Sequence, residues 1–129
     1  MNWQILKYKS EYETDILSAI AQDPDWGFLV NENASAHYKK RLSHSICYVC
    51  YEENVFCGYV RALLDEGFAV YVSELFVIPE QRNKQIGRSL IAQIKQDYSS
   101  LTVYVLSDED AYYEKLQYKK VGSVFEVPA

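Results

Sequence analysis

Apolar and polar positions change period several times along the chain, and each change marks an element. "WQILKYK" (Trp3 to Lys9) alternates, the pattern of a strand whose two faces meet different surroundings. Ser10 and Glu13 then stand at capping-box spacing. Tyr12, Ile16 and Ile20 recur at helical spacing until "DPDWG" stops the helix. Ala34, Tyr38 and Leu42 predict a second short helix with Asn33 as its cap. Three strands follow: "SICYVCY" ends at "EEN", "VFCGYVRALL" at "DEG", and "FAVYVSELFVI" at Pro79. Turns this short favour an antiparallel meander, and Gly67 in "DEG" can take the positive φ that a tight turn asks for.

The period then returns to helical at Ile86, Leu90, Ile91, Ile94 and Tyr98. "LTVYVL" (Leu101 to Leu106) reads as another strand, so strand, helix and strand imply a parallel pair with a right-handed crossover. Ser107 and Asp110 open a further amphipathic helix, on which Tyr112 and Leu116 share a face and Tyr113 starts the next. "KKVGSVFEV" reads as a final strand. The sum is an α/β fold: a mixed, mostly antiparallel sheet of about six strands with helices on both faces, in one domain over residues 1–129. No repeat, low-complexity tract or linker interrupts it.

Composition narrows the function classes. Apolar residues make up 49% of the 129, enough for a packed core and too many for disorder. A net charge of -5 and a pI near 5.0 argue against a nucleic-acid partner and would draw a cationic substrate. No run approaches the roughly 18 apolar residues of a membrane span. The opening "MNWQILKYKSEYE" has no basic start followed by a long apolar stretch, so no signal peptide is read and a cytoplasmic protein is expected. The cysteines are Cys47, Cys50 and Cys57, and "CYVC" invites a metal or redox reading. Positions i and i+3 on a strand point to opposite faces, however, so the expectation is buried apolar thiols and no metal site. His44 has no second pair with which to complete one.

"PEQRNKQIGRSL" (Pro79 to Leu90) leaves the carboxyl end of a strand and enters a helix N-terminus, where open sheets place ligands. Free amides and the helix dipole favour an anion there. Between Gln81 and Gln96 stand four basic residues and no acidic one, a local reversal in an acidic chain. Gly87, without a Cβ, would let a phosphate approach the backbone. A solvated helix start with ordinary positive charges is the plainer alternative.

"LFVIPEQRNKQIGRSLI" resembles the acetyl-CoA loop of the GNAT family of N-acetyltransferases, with its Arg/Gln-x-x-Gly-x-Gly/Ala signature. "AYYEKLQYKKVG" resembles that family's "FYEKLGF" segment, and the order of elements fits over nearly the whole chain. The resemblance implies that amides of Arg82, Asn83, Lys84, Gln85, Ile86, Gly87 and Arg88 hold the pyrophosphate of the donor, acetyl-CoA. It further implies that Leu75, Phe76 and Val77 pair with the pantetheine arm, with amides near Val77 as oxyanion donors. The chain departs from the family where Gln85 replaces the signature's first glycine, which costs roughly 1 kcal/mol if φ there is positive. Gln117 and Tyr118 replace the Gly-Phe of "LGF", and Ser107 stands near an expected Asn. A last hairpin strand carried by many relatives is not expected after "VFEVPA", and an edge left open would favour a homodimer.

Acetyl transfer to an amine needs the amine deprotonated, the carbonyl oxygen stabilised and the leaving thiolate protonated. Tyr113 resembles the family tyrosine near the CoA sulfur, and a phenol can donate to a thiolate; its alternative is a core aromatic. Glu74, a carboxylate inside "YVSELFV", is a candidate base, directly or through water; its alternatives are a pair with Arg61 or solvent. His37 and His44 are further candidates. Asp23, Asp25, Trp26 and Glu32 could meet a cationic acceptor; a solvated loop is their alternative and the slightly favoured one. The expected activity is direct transfer from acetyl-CoA to a primary amine in a ternary complex, the acceptor being a small molecule or a peptide. A protein lysine or N-terminal acetyltransferase and a non-catalytic acyl-CoA-binding module are the alternatives.

Overall fold

The computed structural model describes residues 2–27 and 35–129. Five strands form one sheet in the order β1-β2-β3-β4-β5. They are β1 (Trp3–Lys7), β2 (Ile46–Glu52), β3 (Val55–Asp65), β4 (Ala69–Val77) and β5 (Thr102–Val105). Neighbours from β1 to β4 run antiparallel, and β4 pairs with β5 in parallel. The helices are α1 (Glu13–Ala21), α2 (Ser35–Ser43), α3 (Ile86–Asp97) and α4 (Asp110–Lys115). The α/β class, the meander, the parallel crossover and helices on both faces all agree with the sequence pattern. Gly67 turns the β3–β4 hairpin at φ +82°. Asn33, Ala34 and Glu32 lie outside the described residues.

Two apolar layers sandwich the sheet. On one face Ile16 and Ile20 of α1 and Tyr38 and Leu42 of α2 pack on Cys47, Val49, Tyr59 and Phe76. On the other, Ile86, Leu90, Ile91 and Ile94 of α3 pack on Cys50, Val60, Val70 and Val72. Cys47 and Cys50 thus lie in opposite layers, as strand alternation requires. All three thiols are buried and free, and burial pushes those of Cys47 and Cys50 up to about 12. Such thiols are poor ligands and poor nucleophiles at neutral pH. Among the described residues no group of His, Cys, Asp or Glu could hold a metal ion, and no helix is long and apolar enough to cross a membrane.

Two expectations need correction. Ser10 caps nothing: Ser10–Tyr12 is a 3-10 turn, and α1 begins at Glu13 with Glu13 and Asp15 at the positive end of its dipole. "KKVGSVFEV" is not a strand, so the sheet has five strands and not six. After α4 the chain reverses through Gln117 at φ +66°, and Tyr118 stacks on Tyr113. Beyond that the segment is exposed and takes no regular secondary structure. A strand needs a partner as well as alternating side chains, and residues 119–129 pair with no strand among the described residues.

Candidate active site

The site begins with one surplus residue. Arg61 pairs with Glu74 and Ala62 with Val72, so Ser73 is a bulge in β4 with no partner on β3. The bulge reverses the alternation. Before it Val70 and Val72 enter the α3 layer; after it Leu75 and Val77 do, while Phe76 turns to the α1–α2 layer. It also ends the pairing with β5, since the last β4–β5 link is the Leu106 amide donating to the Val72 carbonyl at 2.9 Å. From there the parallel strands part. A cavity of about 70 Å³ opens in the gap, lined by Trp26, Ser73, Glu74, Leu106, Asp108 and Tyr113 among others.

Backbone direction beyond the bulge follows from one bond. The Ile78 amide donates to the Cys57 carbonyl at 2.9 Å. Alternate residues of an antiparallel strand send their amide and carbonyl to opposite sides. Phe76 therefore faces β3 with its backbone, whereas Leu75 and Val77 face the open gap. Of the three residues expected to meet a pantetheine arm, Leu75 and Val77 turn backbone groups to the gap and Phe76 does not. The Val77 carbonyl accepts from Arg82 Nε at 2.8 Å, which ties the following loop back to the strand.

That loop is built with strain. Asn83 and Gln85 sit at φ +66° and +71°, in left-handed backbone that costs a side-chain-bearing residue about 1–2 kcal/mol. Gln85 is the N-cap of α3 and makes no side-chain cap, so the first-turn amides have no internal partner. Arg82, Asn83, Lys84, Gln85 and Arg88 are exposed, while Ile86 and Gly87 are buried. Lys84 Nζ reaches Gln81 Oε1 at 3.0 Å. A Cβ on Gly87 would overlap the Tyr112 hydroxyl, so this glycine seats α4 on α3, a reason for it that the sequence did not reveal. Gln85→Gly is expected to raise stability by about 1 kcal/mol, read as a higher urea midpoint at unchanged m-value. A lower midpoint would refute the strain at this turn.

Glu74 lies beside the gap and is heavily engaged. Its Oε2 accepts from Arg61 Nε at 2.8 Å and Nη2 at 2.6 Å. Its Oε1 lies 2.5 Å from Tyr38 Oη and 2.8 Å from Tyr59 Oη, which are themselves 2.5 Å apart. Two hydroxyl hydrogens serve three short oxygen pairs, so the tyrosines share a donor role. Burial, then the Glu74 carboxylate, holds the Tyr38 phenol proton well above the ordinary range. Arg61 also donates to Ser45 Oγ at 3.0 Å. Of the readings open to Glu74, the pair with Arg61 is the one formed.

Tyr113 sits on α4 with its ring against the α3 layer, edge-on to Tyr112 and stacked on Tyr118. Its hydroxyl has no hydrogen-bond partner among the described residues. Burial first, then the Asp108 carboxylate, raises its pKa above the tyrosine range, so it keeps its proton at neutral pH. His37 and His44 are exposed and do not line the gap. Ser107 Oγ accepts from the Glu109 amide at 3.2 Å in the approach to α4. The sequence reading passed over Ser73. The sequence carries little signal for it: residues 69–72 and 75–78 are apolar throughout, so the change of parity shows only in which side chains enter which layer.

A second cavity, of about 410 Å³, opens between α1 and the end of β4. Asp15, Asp23 and Glu80 line it beside Phe56 and Phe76, with no basic residue in its wall. Phe76 meets Trp26 edge-on at 5.3 Å, and Trp26 lines the gap, so this one ring pair adjoins both spaces.

Comparison with known proteins converges on one family. No curated protein is similar enough in sequence to count as a relative. Among solved structures, an aminoglycoside acetyltransferase from an uncultured soil metagenomic sample is 18% identical, covers 100% of this chain and 99% of its own, and superposes with a TM-score of 0.76. Aminoglycoside N-acetyltransferase AAC(6')-Iy in complex with CoA is 15% identical over 98% of this chain and 94% of its own, at 0.76. A protein assigned to the GNAT family from Xanthomonas campestris pv. campestris is 19% identical over 100% and 94%, at 0.77. Identities this low carry the fold alone. The family model described as acetyltransferase (GNAT) domain matches residues 43–120, from the end of α2 to beyond α4. A match over more than half of the residues, including both strands of the gap, makes this chain a member of the GNAT family of N-acetyltransferases.

Proposed function

We propose that the protein moves an acetyl group directly from acetyl-CoA to a primary amine of a small cationic acceptor, with both bound at once. The observation that carries this reading is the phenol of Tyr113, without a hydrogen-bond partner among the described residues, beside the gap that the bulge opens in the sheet. The chain's own groups fit the donor. Ser73 Oγ is buried with no hydrogen-bond partner, an orphan that a bound carbonyl or amide would satisfy. Leu75 offers a free backbone edge for an amide-bearing arm, and Val77, whose carbonyl already accepts from Arg82, offers its amide beside it. The first-turn amides of α3, with Arg82, Lys84 and Arg88 around them, suit a diphosphate.

The bound donor supplies an activated acetyl group and a thiol leaving group. Tyr113 holds the proton that the leaving sulfur needs. Glu74 accepts bonds from Arg61 and the tyrosine pair, and gaining a proton would forfeit the ion pair. Its part is to position the floor of the gap, and the amine sheds its proton to water. The acceptor side is the acidic cavity between α1 and β4, which suits a polycation, the chemistry of the aminoglycosides that the structural neighbours are named for. The finer role of each residue rests on this reading of the geometry.

Thermal unfolding in the presence of acetyl-CoA, CoA and ATP tests the donor. At about 100 times Kd the first two should add about 2.7 kcal/mol, a rise of several degrees, and ATP should add far less. A panel of amines with mass detection then tests the acceptor, with di- and polycations expected to outrun neutral amines and lysine peptides. No shift with acetyl-CoA would refute the donor site. A shift without turnover on any amine would make the protein a binding module.

A further inference from the structure

One face of the sheet is covered only in part. α1 and α2 pack over Cys47, Val49, Tyr59 and Phe76, and the Arg61–Glu74 pair closes that layer. The same face continues toward the β3–β4 hairpin. Ala62, Val70, Val72, Val103 and Val105 enter the α3 side. By alternation Leu63, Tyr71 and Tyr104 point the other way, and Leu106 follows in turn. Among the described residues, the α1–α2 layer includes none of these four.

The four side chains form one strip. The register sets Leu63 beside Tyr71 and Tyr71 beside Tyr104. The two rings stack at 5.4 Å. Leu63 keeps 45% exposure, Leu106 41% and Tyr104 36%. Three neighbouring strands make the strip about 10 Å across, two strand spacings. Contiguous apolar surface left in water marks binding. The strip is also continuous with the candidate site, because Leu106 lines the gap together with Glu74 and Tyr113. The acidic cavity lies in the opposite direction along β4, past Phe76.

We propose that this strip seats an apolar arm of the acceptor. The acceptor is then an amphipathic amine, with its reacting nitrogen at the gap, a cationic part toward the acidic cavity and an alkyl or aryl arm over β3, β4 and β5. The inference rests on the reading that an amine is acetylated at the gap, and it adds the chemistry of that amine's body. The occupant belongs to the acceptor because Leu106 joins strip and gap without a break. It is apolar because the tyrosine rings cover each other's inner faces and a leucine stands at either end, so what they offer is mostly hydrocarbon. Contacts of this kind act alike on bound substrate and transition state, so the arm acts through KM and leaves kcat nearly constant.

A series of N-alkyl propanediamines, from methyl to octyl, tests the proposal at constant charge. kcat/KM should rise about twofold per methylene, about half the factor for full burial because the strip covers one side of the arm. An ether arm of the same length should lose most of that rise. Leu63→Ser with Tyr104→Ser should flatten the series, bringing the octyl compound down to the methyl one. Both side chains are more than a third exposed, so thermal unfolding should change little, and Leu63→Ser alone serves if the double variant does not fold. A flat series in the wild type overturns the proposal and leaves the strip to a macromolecular partner. A slope that survives the substitutions overturns it equally. Turnover of no amine at all would instead refute acetyl transfer at the gap. Calorimetry of the octyl diamine with CoA-loaded protein then decides the strip: at least tenfold weaker binding in the variant upholds the apolar seat, and unchanged or absent binding removes it.

Discussion

Arg61→Met should destabilise the fold by about 3 kcal/mol. Both partners of the Arg61–Glu74 pair keep only 12% side-chain exposure, and the guanidinium meets one carboxylate oxygen with two nitrogens. Removing one member of a buried pair typically costs 3–5 kcal/mol, chiefly because the other is stranded; the residual exposure here places the effect at the low end. Urea unfolding reads the cost directly. Arg61→Met combined with Glu74→Leu should recover most of it, since an apolar pair leaves no stranded charge. A loss below about 1 kcal/mol would reduce the pair to surface strength and remove it as the anchor of the gap. The same site separates two roles for Glu74. If it only positions, Glu74→Gln lowers activity but leaves the shape of the kcat/KM pH profile intact. Loss of an acidic limb from that profile would restore Glu74 as the base.

Tyr113→Phe should lower kcat about a hundredfold while changing the affinity for CoA little. General acid catalysis typically contributes 10²–10⁴-fold, and water can replace part of it in a gap this open. The ring is kept, so its packing against Tyr112 and Tyr118 survives, and thermal unfolding should confirm that. Steady-state kinetics on the best amine, with calorimetry of CoA binding, checks both halves. Unchanged turnover would leave Tyr113 as a core aromatic and return the thiolate proton to solvent.

What could be read from the sequence divides along physical lines. Local periodicity was enough for α3, because Ile86, Leu90, Ile91 and Ile94 form one stripe that any sheet would bury. The turn chemistry was legible too: Gly67 takes positive φ, and Gln85, flagged for replacing a glycine, does as well. The loop that begins at Arg82 was recognisable because a strand end, a basic turn and a helix start are local features of the sequence. Of the Tyr38–Tyr59–Glu74–Arg61 cluster only the Arg61–Glu74 pair was anticipated; the two tyrosines were not, since they reach Glu74 from α2 and β3 and nothing in one strand names the side chain facing it across the sheet. The contact that requires Gly87 was hidden for the same reason: the hydroxyl that meets its missing Cβ lies 25 residues away. The last strand failed because alternation specifies a face and not a partner.

Ser73 has a consequence for chain length. Deleting it would exchange the faces of everything from Glu74 to Val77, burying a carboxylate among isoleucines and turning Phe76 away from Trp26. Inserting one residue elsewhere in the second half of β4 would do likewise. Two added residues would keep every side chain in its layer and slide the loop outward by about 7 Å. The spacing between the mouth of the gap and the turn before α3 can therefore change only in even steps, as a ratchet does, and a donor arm of fixed length, if it spans the two, admits very few of them.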